Sequence, residues 1–432
     1  MILNRLPRLI LLLSVSLIAL QAQAQPLFDY VNAPDAAYKW EKVSEQPLPG
    51  GGTRVDLMLT SQVWQGLTWT HQLVLIRPAQ MATPGTAMML INGGKLGLDF
   101  MPMVQMIANQ AGAPLIYLGD IPNQPLFNNL REDALIAHTF TKFLETGDKT
   151  WPLLYPMTKS AVRAMDAIEE YTKQPGQTPI TKFVVTGASK RGWTTWFVGE
   201  ADTKPGRVVG IAPIVYDNLN MAAQMALQKS SYGEYSSQID DYTALGLPDL
   251  LQTPAGKAFG EMVDPYTYRD RATMPKLMLN GTNDPYWVVD SAKLYFDDLV
   301  GPKYLMYAPN TGHGNGDFMR IVMAEIGFYL ACSGQTPFPQ MNWMFEDKDD
   351  LKLGITTDLP AKRVMQWTAT SPTRDFRKAT WVSKELEFAG GQYVGHLPHP
   401  TTGYAAMFGE VMYDVENKEI PYSTTIQVIE AP

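Results

Sequence analysis

The residues best suited to do chemistry are a serine, a histidine and an aspartate, each at the end of an apolar run. Ser189 lies in Gly187-Ala188-Ser189-Lys190-Arg191-Gly192, where KFVVTG passes directly into the helical stretch ASKRGWTTWFVGE. A serine on so tight a strand-to-helix turn has the form of a nucleophile elbow, which exposes the hydroxyl and requires small neighbours where the backbone folds back. The pattern departs from G-x-S-x-G: Arg191 stands where the last glycine is expected, and Gly192 follows it. An activated serine needs a base, and the base needs an orienting acid. Of the five histidines, only His313, in APNTGHGNG after the run KYLMYAP, sits on a loop at a strand end downstream of the serine. His71 belongs to an N-terminal hairpin, His138 to a helix, and His396 and His399 to a C-terminal β region. Two acids compete. Asp284 closes Gly281-Thr282-Asn283-Asp284 after PKLMLNG, and Asp217 follows the preceding run RVVGIAPIVY. Asp290 is better placed to cap a helix.

An oxyanion hole requires backbone N–H groups that converge where negative charge develops. Lys190, directly after the serine, offers one. The loop Asn92-Gly93-Gly94-Lys95 offers the other, and its glycines Gly93 and Gly94 would let backbone approach a substrate. Aromatic residues crowd the same loops: Tyr286 and Trp287 follow Asp284, and Tyr232, Tyr235 and Tyr242 sit in the segment after Asp217. These are candidate pocket walls, whereas Trp193 and Trp196 read as core. The pair His396-x-x-His399 is interrupted by Pro398 and has no matching carboxylates, so no metal site is expected. Acyl transfer by such a constellation requires no cofactor.

The elements that must position these residues are legible as a change of period. Residues 53–78 alternate apolar and polar positions around Gln65-Gly66, as an antiparallel hairpin does. Short runs apolar on both faces then recur at 87–91, 114–119, 182–187, 207–216, 275–281 and 303–309, the mark of buried parallel strands. Helical stretches lie between them, including DALIAHTFTKFLET, KSAVRAMDAIEEYTK, DSAKLYFDDLV and DFMRIVMAEIGFYLA. This alternation predicts an α/β-hydrolase fold with a doubly wound, mostly parallel sheet. The core would occupy 25–217 and 275–335, interrupted by a mostly helical cap at 218–274. After Thr336-Pro337-Phe338-Pro339 the remaining residues, 336–432, form short β-like runs that suggest a β-sandwich-like domain.

Residues 1–24 carry Arg5 and Arg8, an apolar run from Leu9 to Leu20, and small residues at Ala22 and Ala24. A run of about a dozen residues is shorter than the ~20 that span a bilayer, so the segment reads as a signal peptide cleaved near Ala24. A periplasmic or secreted protein without stable membrane insertion is expected. Cys332 is the one cysteine and cannot form an internal disulfide, so an exported chain must rely on core burial. Its 45% hydrophobic and 18% charged residues are enough for that. A net charge of −8 argues against nucleic acid as a partner, which leaves a small-molecule ester or peptide substrate. The oligomeric state stays open.

The motifs LTSQVWQG, PNQPL, WPLLYPMTKSAVRAMDAI, GASKRGWTTW, YDNLN and APNTGHG resemble the PhoPQ-activated pathogenicity-related family (PqaA type) over most of the mature chain. The resemblance implies an α/β-hydrolase-like fold with its serine in GASKRG, and a link to virulence or antimicrobial peptide resistance. It implies no substrate. The elbow is also similar to the G-C-S-R-x-G of glucuronoyl esterases, with Lys190 in place of arginine. That similarity implies a basic side chain assisting the oxyanion, the alternative being a lysine turned to solvent. Taken together, the residues predict an exported serine hydrolase, peptidase or carbohydrate esterase, acting through an acyl-enzyme. The irregular elbow leaves a second reading, a non-catalytic peptide-sequestering protein on a hydrolase scaffold.

Overall fold

The computed structural model describes residues 26–314 and 316–432; the expected leader lies outside them. After a short helix α1 (Pro26–Asn32), strands β1 (Lys39–Pro47), β2 (Thr53–Trp64) and β3 (Leu67–Arg77) form an antiparallel ribbon. Gln65 and Gly66 both take positive φ, 49° and 76°. Two such residues make the tight turn whose twist matches the strands it joins.

The chain then lays down β4 (Thr86–Ile91), β5 (Leu115–Leu118), β6 (Lys182–Ala188), β7 (Val208–Ile214), β8 (Lys276–Gly281) and β9 (Lys303–Ala308). These pair in the order β3-β5-β4-β6-β7-β8-β9, and every pair from β5 to β9 is parallel. Strands β5 and β8 are buried at every position, because helices cover both faces. Helices α3 (Glu132–Thr146), α4 (Leu154–Thr172) and α5 (Lys190–Ala201) join one apolar cluster, which contains Phe140, Met157 and Trp196. Helices α2 (Met101–Ala111) and α10 (Phe318–Cys332) join the other, through Val104 and Phe328. Between β7 and β8 the chain forms α6 (Met221–Tyr232), α7 (Asp240–Thr243), α8 (Leu247–Leu250) and α9 (Pro254–Val263).

One expected helix is not formed. DSAKLYFDDLV yields only a single 3-10 turn, Ser291–Leu294. The Lys303 ammonium takes the carbonyls of Phe296, Asp297 and Leu299 at 2.7, 2.9 and 3.1 Å, so these acceptors are satisfied without further helical turns.

The C-terminal strands are β10 (Met341–Asp347), β11 (Asp350–Thr357), β12 (Ala361–Ser371), β13 (Val382–Glu385), β14 (Phe388–Ala389), β15 (Gln392–Pro398), β16 (Tyr404–Val415), β17 (Lys418–Ser423) and β18 (Gln427–Glu430). Four of them form a separate sheet, β10-β11-β15-β14. It faces β16 closely: a Cβ on Gly409 would stand 2.3 Å from Ile355 Cδ1. The facing layer is not free-standing. It continues the central sheet through β17, whose Ser423 pairs with Leu305 of β9.

Candidate active site

Parallel register aligns the C-terminal ends of the central strands. Ile91 pairs with Gly187, Ala188 with Ile214, and Gly281 with Ala308. The loops that follow these strands therefore open on one edge, where ligands bind in doubly wound folds. Ser189 turns sharply there, with φ 57° and ψ −122°, a conformation a non-glycine residue holds only when its surroundings enforce it. Its N–H donates to Ile214 C=O at 2.8 Å. Gly192, not the residue before it, makes the close approach the turn requires: a Cβ there would be 3.0 Å from Ile214 O. The glycine is displaced by one position, which frees position 191 for a large side chain.

His313 contacts both remaining partners. Its Nδ1 is 2.8 Å from Asp284 Oδ2, and its Nε2 is 2.9 Å from Ser189 Oγ. A carboxylate can only accept, so Asp284 holds the ring proton on Nδ1 and leaves Nε2 to accept from the serine hydroxyl. The Tyr286 ring lies over the imidazole at a centroid distance of 4.0 Å. Asp217, the competing acid, is directed elsewhere. It is fully buried beneath Tyr295, whose hydroxyl donates to it at 2.5 Å. Burial raises its carboxyl to about 7, against the lowering hydrogen bond from Tyr295. Asp290 binds Lys293 and Arg374 at 2.5 and 2.6 Å.

The acid and base loops are braced from the C-terminal strands. Asn283, beside Asp284, donates to Ala379 C=O at 2.7 Å. Asn310, on the loop that carries His313, donates to Trp381 C=O at 3.0 Å and accepts the Trp381 N–H at 2.7 Å. Arg374 reaches Ser231 at the end of α6 at 2.7 Å, and Arg377 lies over the Tyr232 ring. All these contacts come from the connection between β12 and β13.

Lys190 and Arg191 meet an acidic pair that the sequence analysis did not single out. Arg191 is buried, bidentate to Glu132 at 2.7 and 2.8 Å, and donates through Nε to Ile121 C=O at 2.7 Å. Burial would raise the Glu132 carboxyl, but the Arg191 hydrogen bonds and charge, with Lys190, hold it at about 2. The Lys190 ammonium lies 3.1 Å from Glu132 and 3.0 Å from Asp133. Its side chain is only 10% exposed, so the expectation of a lysine turned to solvent is corrected. Arg191 also accounts for Gly93: a Cβ there would fall 2.1 Å from the guanidinium. The Gly94 N–H faces Asn92 Oδ1 at 3.3 Å, and its C=O accepts the Tyr117 hydroxyl at 2.9 Å. Gly93 thus has a packing explanation, whereas a Cβ on Gly94 would meet open space. The acids were hard to find because Glu132-Asp133 opens α3, where acidic residues are common for helix-dipole reasons alone.

A cavity of about 700 Å³ including its mouth opens beside Ser189. Tyr286 and Trp287 line it, as expected, and so does Tyr242. Tyr232 and Tyr235 do not. The Tyr232 hydroxyl donates to Trp287 C=O at 2.9 Å from behind, and Tyr235 bonds Asp249 at the surface. Trp193, read as core, is 6% exposed and lines the cavity, while Trp196 is core. His71 is buried on Ser61 and Asp120 C=O, and burial lowers its imidazole to about 4. His396 and His399 pair with Asp350 and Asp347. Among the described residues no three His, Cys, Asp or Glu groups converge on a metal position, and no helix is long and apolar enough to cross a membrane.

The sheet order, the elbow and the position of the three loops define an α/β-hydrolase fold. Within that class the chain belongs to the family of PhoPQ-activated pathogenicity-related proteins, whose model matches residues 27–377. Autocrine proliferation repressor protein A of Dictyostelium discoideum is 33% identical, over 94% of this chain and 89% of that protein. Acetyl xylan esterase from Paenibacillus sp. R4 shares the fold at TM-score 0.50 and 14% identity, over 71% of this chain and 92% of its own. Acetyl xylan esterase 1 from Thermoanaerobacterium sp. JW/SL YS485 does so at TM-score 0.50 and 15% identity, over 71% and 91%.

Proposed function

We propose that this protein is a serine hydrolase that cleaves an ester or amide through an acyl-enzyme. The observation that carries the reading is the double contact of His313, to Asp284 through Nδ1 and to Ser189 through Nε2. In the first half-reaction Ser189 Oγ attacks the carbonyl carbon and its proton passes to His313 Nε2. The imidazolium, stabilised by Asp284, returns that proton to the leaving oxygen or nitrogen as the scissile bond breaks. Water then attacks the acyl carbon as one of its protons passes to His313 Nε2, and the imidazolium returns that proton to Ser189 Oγ as the acyl–Oγ bond breaks and the acid leaves. The Lys190 backbone N–H, at the first position of α5, makes no intrahelical bond and is our candidate for an oxyanion donor.

The segment 218–274 acts in this reading as a cap, and the protein works outside the cytoplasm after loss of a leader near Ala24. A fluorophosphonate probe tests the assignment, because only an activated serine is labelled. Wild-type protein should label and Ser189→Ala should not. Absence of labelling in folded wild-type protein would leave a binding protein on a hydrolase scaffold.

A further inference from the structure

We infer that the cavity beside Ser189 is an acyl-binding pocket, and that the substrate is an ester or amide of a bulky apolar acid rather than of acetate. The inference rests on the hydrolase reading above. The walls are mostly apolar: Trp193 and Phe259 pack edge-to-face against Phe140, and Met225, Ile239 and Leu251 line the same space. The charged groups at the wall are already matched. Lys190 lies 3.0 Å from Asp133, and Asp133 also accepts the Tyr242 hydroxyl at 2.9 Å. An ionic substituent would thus enter an apolar space with no free counter-charge, at a large desolvation cost.

Ser189 borders the cavity and His313 does not. The leaving atom must come within reach of His313 Nε2 to take its proton, so the leaving group lies on the histidine side. The group that stays on Ser189 is the one that fills the cavity. An acetyl group on Ser189 is too short to touch the walls formed by both Leu251 and Phe259, which a longer apolar chain would reach.

The test is a series of p-nitrophenyl esters, from acetate through butyrate and hexanoate to octanoate, run beside fluorophosphonate labelling. For the wild type, kcat/KM should rise about fourfold per methylene from acetate to hexanoate, the factor equivalent to ~0.8 kcal/mol for burying one methylene. Met225→Trp and Ile239→Trp, which place a ring inside the cavity, should each lower the hexanoate-to-acetate ratio at least tenfold. Circular dichroism would identify a variant that fails to fold, and the wild-type series decides the matter without it. A protein that labels but prefers acetate, shows no chain-length dependence, or hydrolyses none of the series overturns the pocket assignment and leaves the hydrolase reading intact. A protein that neither labels nor turns over an ester overturns both.

Discussion

Asn310 and Trp381 are hydrogen-bonded in both directions, side-chain amide to backbone, at 3.0 and 2.7 Å. Asn310 has φ 57°, a left-handed conformation that asparagine tolerates better than most residues. The base loop is therefore bent by Asn310 and pinned by the residue that lies farther along the chain. Asn310→Ala should loosen His313 without touching substrate. Loss of both bonds, at about 1 kcal/mol each, should lower kcat by about tenfold with KM little changed, and steady-state kinetics at several temperatures would check it. An equal loss in kcat and gain in KM would place the residue in binding instead.

Ser189→Ala and His313→Ala should each remove several orders of magnitude of kcat while leaving the thermal unfolding transition nearly in place. For the acid, Asp284→Asn should harm turnover far more than Asp217→Asn, because Asp217 is bonded to Tyr295 rather than to the imidazole. The reverse order would move the acid to the loop after β7.

Glu132→Gln should act on stability first. It leaves the buried Arg191 guanidinium with one weakened partner, at a cost of about 1–3 kcal/mol, read as a lower midpoint in urea. The native carboxyl is held at about 2, below the usual ~4.3 of an unfolded glutamate. Its contribution is therefore present above pH ~4.3 and is lost as pH falls toward 2. The variant should lack that part of the acid sensitivity.

Lys190→Met tests whether the lysine charge reaches the oxyanion. With its ammonium committed to Glu132 and Asp133, kcat should fall by less than about tenfold, the lower range for loss of an oxyanion contact. A larger fall with unchanged KM would restore the similarity to the glucuronoyl esterase elbow.

Glu325, fully buried on α10, should make the fold prefer mild acid. Its carboxyl has one side-chain partner, the Thr186 hydroxyl, which is shared between Glu325 Oε1 and Ala212 C=O. Burial raises its carboxyl to about 7 against the lowering Thr186 bond. Between pH ~4 and ~7 the native state holds a proton that the unfolded state has lost, so stability falls as pH rises. Glu325→Gln keeps a donor and cannot ionise, and should narrow the difference in thermal midpoint between pH 5 and pH 8. Asp217, raised for the same reason, would retain part of it.

Those parts of the fold that depend on local periodicity were legible in the sequence. The runs at 182–187 and 303–309 became β6 and β9, and the Gln65-Gly66 turn is where the hairpin reverses. The meeting of Ser189, His313 and Asp284 was legible as a candidate site because each follows such a run within a few residues. What was not legible depends on contacts between distant residues. Nothing near Glu132 in the chain announces Arg191, 59 positions away. Tyr232, Tyr235 and Tyr242 look alike in sequence, yet only Tyr242 meets the cavity, since the three leave a bending chain in different directions. DSAKLYFDDLV has helical spacing, but a lysine beyond its end claims its carbonyls. The continuity of β17 with β9 rests on one pairing, Ser423 with Leu305, and leaves no pattern.

The connection between β12 and β13 braces Asp284 through Asn283 and His313 through Asn310. A chain made from its N-terminus contains Ser189, Asp284 and His313 well before it contains Trp381. Completion of the proposed site is thus tied to the order of synthesis: a nascent chain that ends after α10 holds Ser189, Asp284 and His313 and lacks the struts that brace two of their loops. In the proposed hydrolase, competence would arrive late, when the last strands close around loops already made.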